Sequence, residues 1–153
     1  MAETLVQPDK LSDSQSEYMK LIAEIMEIRK RGEKPLAYIR TYGCQQNVAD
    51  SEKIKGMLSD SGFDFADSPD NADFILFNTC AVREHAEDRV FGNVGALKNL
   101  KRKHPQILIA LCGCMMEQEH VANRIYKSFP FVGLVFGTHS LHHFPELMYN
   151  SLV

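Results

Sequence analysis

The amino-acid sequence predicts an α/β fold: a mostly parallel, open sheet with helices on both faces, built from βαβ units of the Rossmann or flavodoxin kind, plus an extra N-terminal helix. Three observations lead to this prediction. Short apolar segments alternate with longer segments of helical periodicity. The apolar segments are almost continuously hydrophobic, which suits strands that are covered on both faces. No internal repeat or low-complexity tract interrupts this order. Parallel strands that alternate with helices are expected to be joined by right-handed crossovers.

The N-terminal part of the chain, residues 1–33, predicts an extension that carries one amphipathic helix. Apolar side chains recur at helical spacing over residues 14–30. Lys30 is one of several cations that favour a helix end, and Gly32 provides a stop. Residues 34–153 then form the main domain.

The main domain alternates strands and helices to its end. The predicted strands cover residues 36–42, 74–79, 107–111 and 132–136. The predicted helices cover residues 47–61, 82–103, 117–128 and 141–149. Asn47 is expected to cap the first of these helices and Gly62 to end it, whereas Pro105 ends the second. The element order is therefore βαβαβαβα after the extra helix.

Composition and charge exclude several classes of protein. The chain has 153 residues, of which 44% are hydrophobic, which predicts one domain with a packed core. It contains no apolar run that would span a membrane and no signal-peptide core, so we expect a cytoplasmic protein without membrane contact, and a monomer. A net charge of -3 argues against a free-standing nucleic-acid-binding protein but leaves room for one local basic patch.

The positions of the cysteines are the most informative feature. Cys44, Cys80 and Cys114 each follow the end of a predicted strand. Because the carboxyl ends of parallel strands share one edge, where ligands bind, these thiols are expected to converge. Thiolates suit zinc, copper(I) and iron–sulfur clusters, and three ligands on an iron–sulfur cube leave one iron open. The alternative is three packed thiols, since free cysteine is among the most buried residue types.

Three segments around these cysteines carry a family resemblance. They read GCQQN at residues 43–47, NTCAVREHA at 78–86 and GCMMEQ at 113–118. In order and separation they resemble the three cysteine motifs of the methylthiotransferase family. Residues 83–95 and 136–147 resemble most closely the MiaB-type branch, which modifies tRNA.

The resemblance implies that the chain is part of a longer radical S-adenosylmethionine enzyme. In the family, an N-terminal domain holds an auxiliary [4Fe-4S] cluster through cysteines that match Cys44, Cys80 and Cys114. A following barrel holds a second [4Fe-4S] cluster and cleaves S-adenosylmethionine, and a C-terminal module binds the tRNA. The product carries a methylthio group at C2 of an isopentenyladenosine next to the anticodon. No Cys-x-x-x-Cys-x-x-Cys occurs here, so this chain is expected to be inactive without those domains.

Two other hypotheses of different classes are open. The chain is alternatively a non-catalytic α/β binding module whose cysteines pack or hold structural zinc, with help from the histidines near residue 140. The third hypothesis, which the sequence favours least, is a thiol redox protein that uses Cys112 and Cys114. For Cys112 itself the preferred interpretation is a packed or spare thiol. The histidines are His139, His142 and His143.

The remaining candidates have both a structural and a functional interpretation. The basic run at residues 98–104 either complements a helix dipole or contacts tRNA phosphates. Asn47, Asn78 and Arg83 flank the cysteines. They either satisfy local backbone groups or line the pocket of the cluster, where hydrogen bonds to sulfur tune its potential.

Overall fold

A computed structural model of the chain describes residues 13–43, 45–80 and 86–153. Within these residues six α-helices surround one five-stranded sheet. The strands are β1 Leu36–Thr41, β2 Asp64–Phe65, β3 Phe74–Thr79, β4 Leu108–Gly113 and β5 Leu134–Phe136. The helices are α1 Asp13–Lys30, α2 Gln45–Asp60, α3 Ala86–Gly95, α4 Lys98–Lys103, α5 Glu119–Ser128 and α6 Phe144–Leu152.

All neighbouring strands are parallel, in the order β2-β1-β3-β4-β5. This is the flavodoxin-like order, so the predicted α/β fold is confirmed. Strand β2 lies on one side of β1, and β3, β4 and β5 follow one another on its other side. Ligands bind such sheets outside the carboxyl ends of the strands at this point of reversal, between β1 and β3.

Two hydrophobic clusters, one on each face of the sheet, form the core. Alternate strand residues point to opposite faces, so Phe74 and Leu76 join one cluster while Ile75 and Phe77 join the other. Helices α1, α2 and α6 cover the first face, and α3 and α5 cover the second. The sheet is therefore sandwiched between helices, which explains why β3 and β4 are buried along their whole length.

The extra helix α1 packs on the sheet as part of the first layer. Met19, Ile22 and Met26 lie in the core beside α6. The Arg29 guanidinium donates a hydrogen bond to the backbone carbonyl of Leu152 at 2.6 Å. The amphipathic pattern at residues 14–30 thus identified the helix and the buried positions of Ile22 and Met26, whereas Ile28, an apolar residue of the same pattern, is 78% exposed.

One local prediction is wrong, and one short strand was not predicted, each for a physical reason. Helix α2 begins at Gln45, so Asn47 does not cap it; the Asn47 side chain is buried and bonds to β3 instead. Strand β2 was not predicted, because two residues are too short to show a period. Gly62 does end α2, with φ 92° in the left-handed region.

The remaining differences concern element boundaries. The predicted helix 82–103 is divided into α3 and α4, and its first residues lie outside the described part of the chain. Strand β4 runs two residues beyond the prediction and includes Cys112 and Gly113. Helices α5 and α6 are each preceded by a 3₁₀ turn, Cys114–Glu117 and Thr138–His143. Among the helices described, none combines the length and apolarity needed to cross a membrane.

Candidate functional site

Two of the three predicted cysteine ligands lie next to each other at the carboxyl edge of the sheet. Cys80 follows the last residue of β3 and Cys114 the last residue of β4, and these last residues, Thr79 and Gly113, are paired. The Cys114 Sγ lies 3.9 Å from the carbonyl oxygen of Thr79. Cys80 is buried and Cys114 is half-buried. Cys44 lies outside the described residues, so its place beside them stays a prediction.

The residue before Cys44 is pressed against Cys80. Gly43 has φ 101°, a backbone conformation that residues other than glycine rarely adopt. A Cβ added to Gly43 would collide with the Cβ of Cys80, and it would lie 3.0 Å from the Cys80 Sγ and 3.1 Å from the Oδ1 of Asn47. The backbone that leads into Cys44 therefore passes directly over the Cys80 thiol.

The residue before Cys114 is packed in the same way. Gly113 has φ 106°, and an added Cβ would collide with the carbonyl oxygen of Thr79. That Cβ would also lie 2.9 Å from the Oδ1 of Asn78. The glycines of two Gly-Cys pairs thus allow neighbouring strand ends to approach closely, which brings the following residues together. A glycine directly before a cysteine in two of the three motifs was the sequence signal for this packing.

A buried pair of amides joins the start of α2 to the end of β3. The Nδ2 of Asn47 donates to the Oδ1 of Asn78 at 3.1 Å and to the carbonyl of Thr79 at 2.9 Å. The Nδ2 of Asn78 donates back to the carbonyl of Asn47 at 2.8 Å and to the Oγ of Ser51 at 2.9 Å. We call this reciprocal pair the amide latch. It connects the residues after Cys44 with the residues before Cys80.

Two hydroxyl groups extend the amide latch to the neighbouring strands. The hydroxyls of Ser51 and Thr41 lie 2.7 Å apart, which ties α2 to β1. The Thr79 hydroxyl donates to the carbonyl of Cys112 at 2.7 Å, which ties β3 to β4. Ser51 and Thr41 were not singled out from the sequence. Ser51 lies four residues after Asn47 on α2, so helical spacing was the available signal.

Cys112 is a packed thiol. Its side chain is 2% exposed and belongs to the cluster beneath α1, α2 and α6. Burial, together with the nearby buried carboxylate of Asp50, raises the pKa of the Cys112 thiol. Because metal ligands and nucleophiles must be thiolates, this environment disfavours both roles and the redox pair with Cys114. Asp50 itself accepts a hydrogen bond from the Nε2 of Gln46 at 3.0 Å.

The histidines near residue 140 do not join the cysteines. His139 is largely exposed, and its Nε2 lies 3.5 Å from the Oε1 of Glu117. Thr138 donates a hydrogen bond to the same Oε1 at 3.0 Å. The rings of His142 and His143 contact each other, with centroids 4.1 Å apart. Among the residues that the structure describes, no three His, Cys, Asp or Glu side chains are placed to hold one metal ion.

The basic run at residues 98–104 lies at the opposite edge of the sheet. It forms α4, which leads into the amino end of β4. Strand β4 has six residues, so about 20 Å separates this run from Cys114. The Lys101 ammonium donates to the carbonyls of Pro105 and Ile107, at 2.6 and 2.5 Å, and therefore braces the loop before β4. Partial burial lowers the pKa of Lys101.

Comparison with known proteins places this site in a family. Residues 36–137 match the Uncharacterized protein family UPF0004. The chain belongs to this family. The matched residues begin at β1 and end just after β5, so they include the whole sheet and all three Gly-Cys and Thr-Cys strand ends.

Curated relatives cover most of this chain. A Clostridium perfringens protein named tRNA-2-methylthio-N(6)-dimethylallyladenosine synthase is 49% identical over 127 residues, which are 83% of this chain and 28% of the relative. A Caldicellulosiruptor saccharolyticus protein of the same name is 53% identical over 123 residues, 80% of this chain and 26% of the relative. The chain thus spans little more than a quarter of the length of these relatives. The predicted resemblance to MiaB-type enzymes is confirmed.

Proposed function

We propose that this chain is the N-terminal part of a tRNA methylthiotransferase and that it holds an auxiliary [4Fe-4S] cluster through Cys44, Cys80 and Cys114. The names of the relatives support the enzyme class and a tRNA substrate. The observation that carries the cluster assignment is the packing of Gly43 on Cys80, with Cys114 beside it on the next strand.

The donor set at this edge fits an iron–sulfur cluster. Cys80 and Cys114 follow paired residues of adjacent strands, and a Cβ added to Gly43, directly before Cys44, would lie 3.0 Å from the Cys80 Sγ. Thiolates are the ligands that such clusters take. The fourth cysteine, Cys112, is packed in the core, where burial raises the pKa of its thiol, so its environment disfavours a fourth thiolate ligand.

The residues around the cysteines have separate tasks in this proposal. Cys44, Cys80 and Cys114 would hold the cluster, and the iron left without a protein thiolate would supply a binding place for the sulfur species that the base receives. The chain's own contribution is to orient the thiolates. The glycines allow the close approach of the strand ends, and the amide latch holds the start of α2 against the end of β3. A preorganised set of ligands loses little entropy when the metal binds.

The following domains of the same protein supply the rest of the reaction in this proposal. A second [4Fe-4S] cluster and S-adenosylmethionine belong to a radical barrel, and an RNA-binding module holds the tRNA. The product is the 2-methylthio derivative of isopentenyladenosine, which agrees with the names of the relatives.

Nucleoside analysis tests this function. A full-length protein that carries this chain as its N-terminal part is expressed in cells that lack the modification, and their tRNA is digested for mass spectrometry. We expect 2-methylthio-N6-isopentenyladenosine with the parent and with Cys112→Ala. We expect only the unmodified isopentenyladenosine with Cys80→Ala or Cys114→Ala. Full modification by the Cys80→Ala and Cys114→Ala proteins would contradict the proposal and favour the binding-module hypothesis.

A further inference from the structure

One strand of the sheet is only partly covered on the face that α3 and α5 protect. In a right-handed doubly wound sheet, the connection from β2 to β3 crosses β1 on this face, and a helix normally covers the strand. Here residues 66–73 make the connection, with the short 3₁₀ turn Pro69–Asn71 in place of an α-helix. In the described part of the chain, β1 is therefore accessible from this side.

Alternate residues of β1 occupy this accessible face. Tyr38 and Tyr42 are half-buried at the margin of the second hydrophobic cluster, and Arg40 between them is exposed. The Arg40 guanidinium carbon lies 4.9 Å from the centroid of the Tyr42 ring. The Tyr42 hydroxyl accepts a hydrogen bond from the Nδ2 of Asn93 at 2.8 Å, which fixes that ring against α3. Two aromatic rings and a planar guanidinium thus follow one another along the strand.

Charged groups of both signs lie at this face: Arg40 is on β1 and Arg89 on α3, and the exposed Asp67 and Asp70 are on the connection that crosses β1. Arg40 and Arg89 are both exposed; burial raises the pKa of Tyr42, and the positive charges of these two arginines oppose that rise. Asp64, at the start of β2, is paired with Lys34 at 3.2 Å. An anionic partner would therefore meet two arginines at the end of β1 nearest the cysteines.

The position of these residues connects them to the candidate site. Tyr42 precedes Cys44 by two residues, at the same edge of the sheet as Cys80 and Cys114. The basic run of α4, by contrast, lies at the far edge. The apolar groove between α5 and β5, which includes Tyr126 and Val135, has no charged residue in its lining.

We propose that Tyr38, Arg40, Tyr42 and Arg89 form an RNA-binding face, on which unpaired bases of the RNA substrate stack while the arginines contact its phosphates. This inference rests on the proposed function, which supplies the RNA substrate. Proteins recognise unpaired RNA through bases stacked on aromatic rings or guanidinium planes. Bases bound here would lead directly to the edge where the cysteines lie.

Titration of a fluorescent anticodon stem-loop RNA with this chain, at two salt concentrations, tests the RNA-binding face. Tyr38→Ala is expected to weaken binding about ten-fold, whereas Tyr38→Phe keeps the ring and binds like the parent. Arg40→Gln is expected to weaken binding and to lower the slope of log affinity against log salt by about one. The matched control Arg102→Gln, on the far edge, should change neither.

Three results would overturn the inference. They are an undetectable affinity of the parent for the RNA, equal affinities of the parent, Tyr38→Ala and Arg40→Gln, and a loss of affinity with Arg102→Gln instead. If Arg40→Gln changes the self-association of the chain but not its RNA affinity, this face contacts protein instead of RNA, and the inference is also overturned. Iron and sulfide are measured on the same preparations. If the parent takes up the cluster and Arg40→Gln leaves the RNA affinity unchanged, the RNA-binding face alone is refuted. A parent that takes up no cluster refutes the proposed function instead.

Discussion

The amide latch makes a quantitative prediction about Asn78. Asn78→Ala removes three buried hydrogen bonds: the two that the Asn78 amide donates, to the Asn47 carbonyl and the Ser51 hydroxyl, and the one it accepts from Asn47. A hydrogen bond of this kind contributes about 1 kcal/mol net. Asn47 and Ser51 keep one other partner each, so no complete desolvation penalty is added. The free energy of unfolding should therefore fall by about 3 kcal/mol.

Urea unfolding followed by circular dichroism measures this change. The matched control is Asn93→Ala, which removes a single, half-buried hydrogen bond to Tyr42 and should cost about 1 kcal/mol. Equal losses for Asn78→Ala and Asn93→Ala would refute the reasoning, because the amide latch would then contribute no more than one peripheral contact. A midpoint shift without a change in slope would show that the compactness of the two states is unaffected.

Three further predictions concern the strand ends, the packed thiol and the base of α1. Gly113→Ala should lower the free energy of unfolding by about 3 kcal/mol or more, because it forces a Cβ into the Thr79 backbone. The helical control Gly92→Ala meets open space and should raise the free energy of unfolding by up to about 1 kcal/mol. Equal effects of the two changes in urea unfolding would contradict this prediction. Since the pKa of Cys112 is raised in the folded chain, the folded chain keeps a proton that the unfolded chain loses above about pH 8.5, so stability should fall with rising pH by up to about 1.4 kcal/mol per unit. Urea titrations of the parent and Cys112→Ala check this, and identical slopes against pH would argue against it. Asp73→Ala removes a hydrogen bond from the Leu36 amide at 2.8 Å and an ion pair with Lys30 at 3.1 Å. The free energy of unfolding, measured by thermal unfolding, should therefore fall by about 2 kcal/mol. A loss near zero would show that these contacts do not stabilise the fold.

The sequence was sufficient for the fold because its periodicities are strong. The apolar run of β3 and the 3.6-residue pattern of α1 identified both elements, and the run of β3 also indicated its burial on both faces. The alternation of strands and helices then required parallel strands. What the pattern could not show was β2, which has two residues, or the break between α3 and α4.

The candidate site was predictable only in outline. The position of a cysteine after each of three strands predicted convergence at one edge, and the structure brings Cys80 and Cys114 together there. The role of Asn47 was not predictable, because an asparagine at the start of a helix has the same local pattern whether it caps the helix or bonds across to another strand. That choice depends on Asn78, which is 31 residues away and reaches Asn47 only after the sheet has formed.

Anaerobic reconstitution with iron and sulfide tests the central claim most directly. The parent chain, the triple variant Cys44→Ala/Cys80→Ala/Cys114→Ala and the control Cys112→Ala are compared by iron and sulfide analysis and by visible absorption. The account predicts about four irons and four sulfides per chain for the parent and for Cys112→Ala, and none for the triple variant. Equal iron in the parent and the triple variant, or uptake of zinc alone, would contradict it.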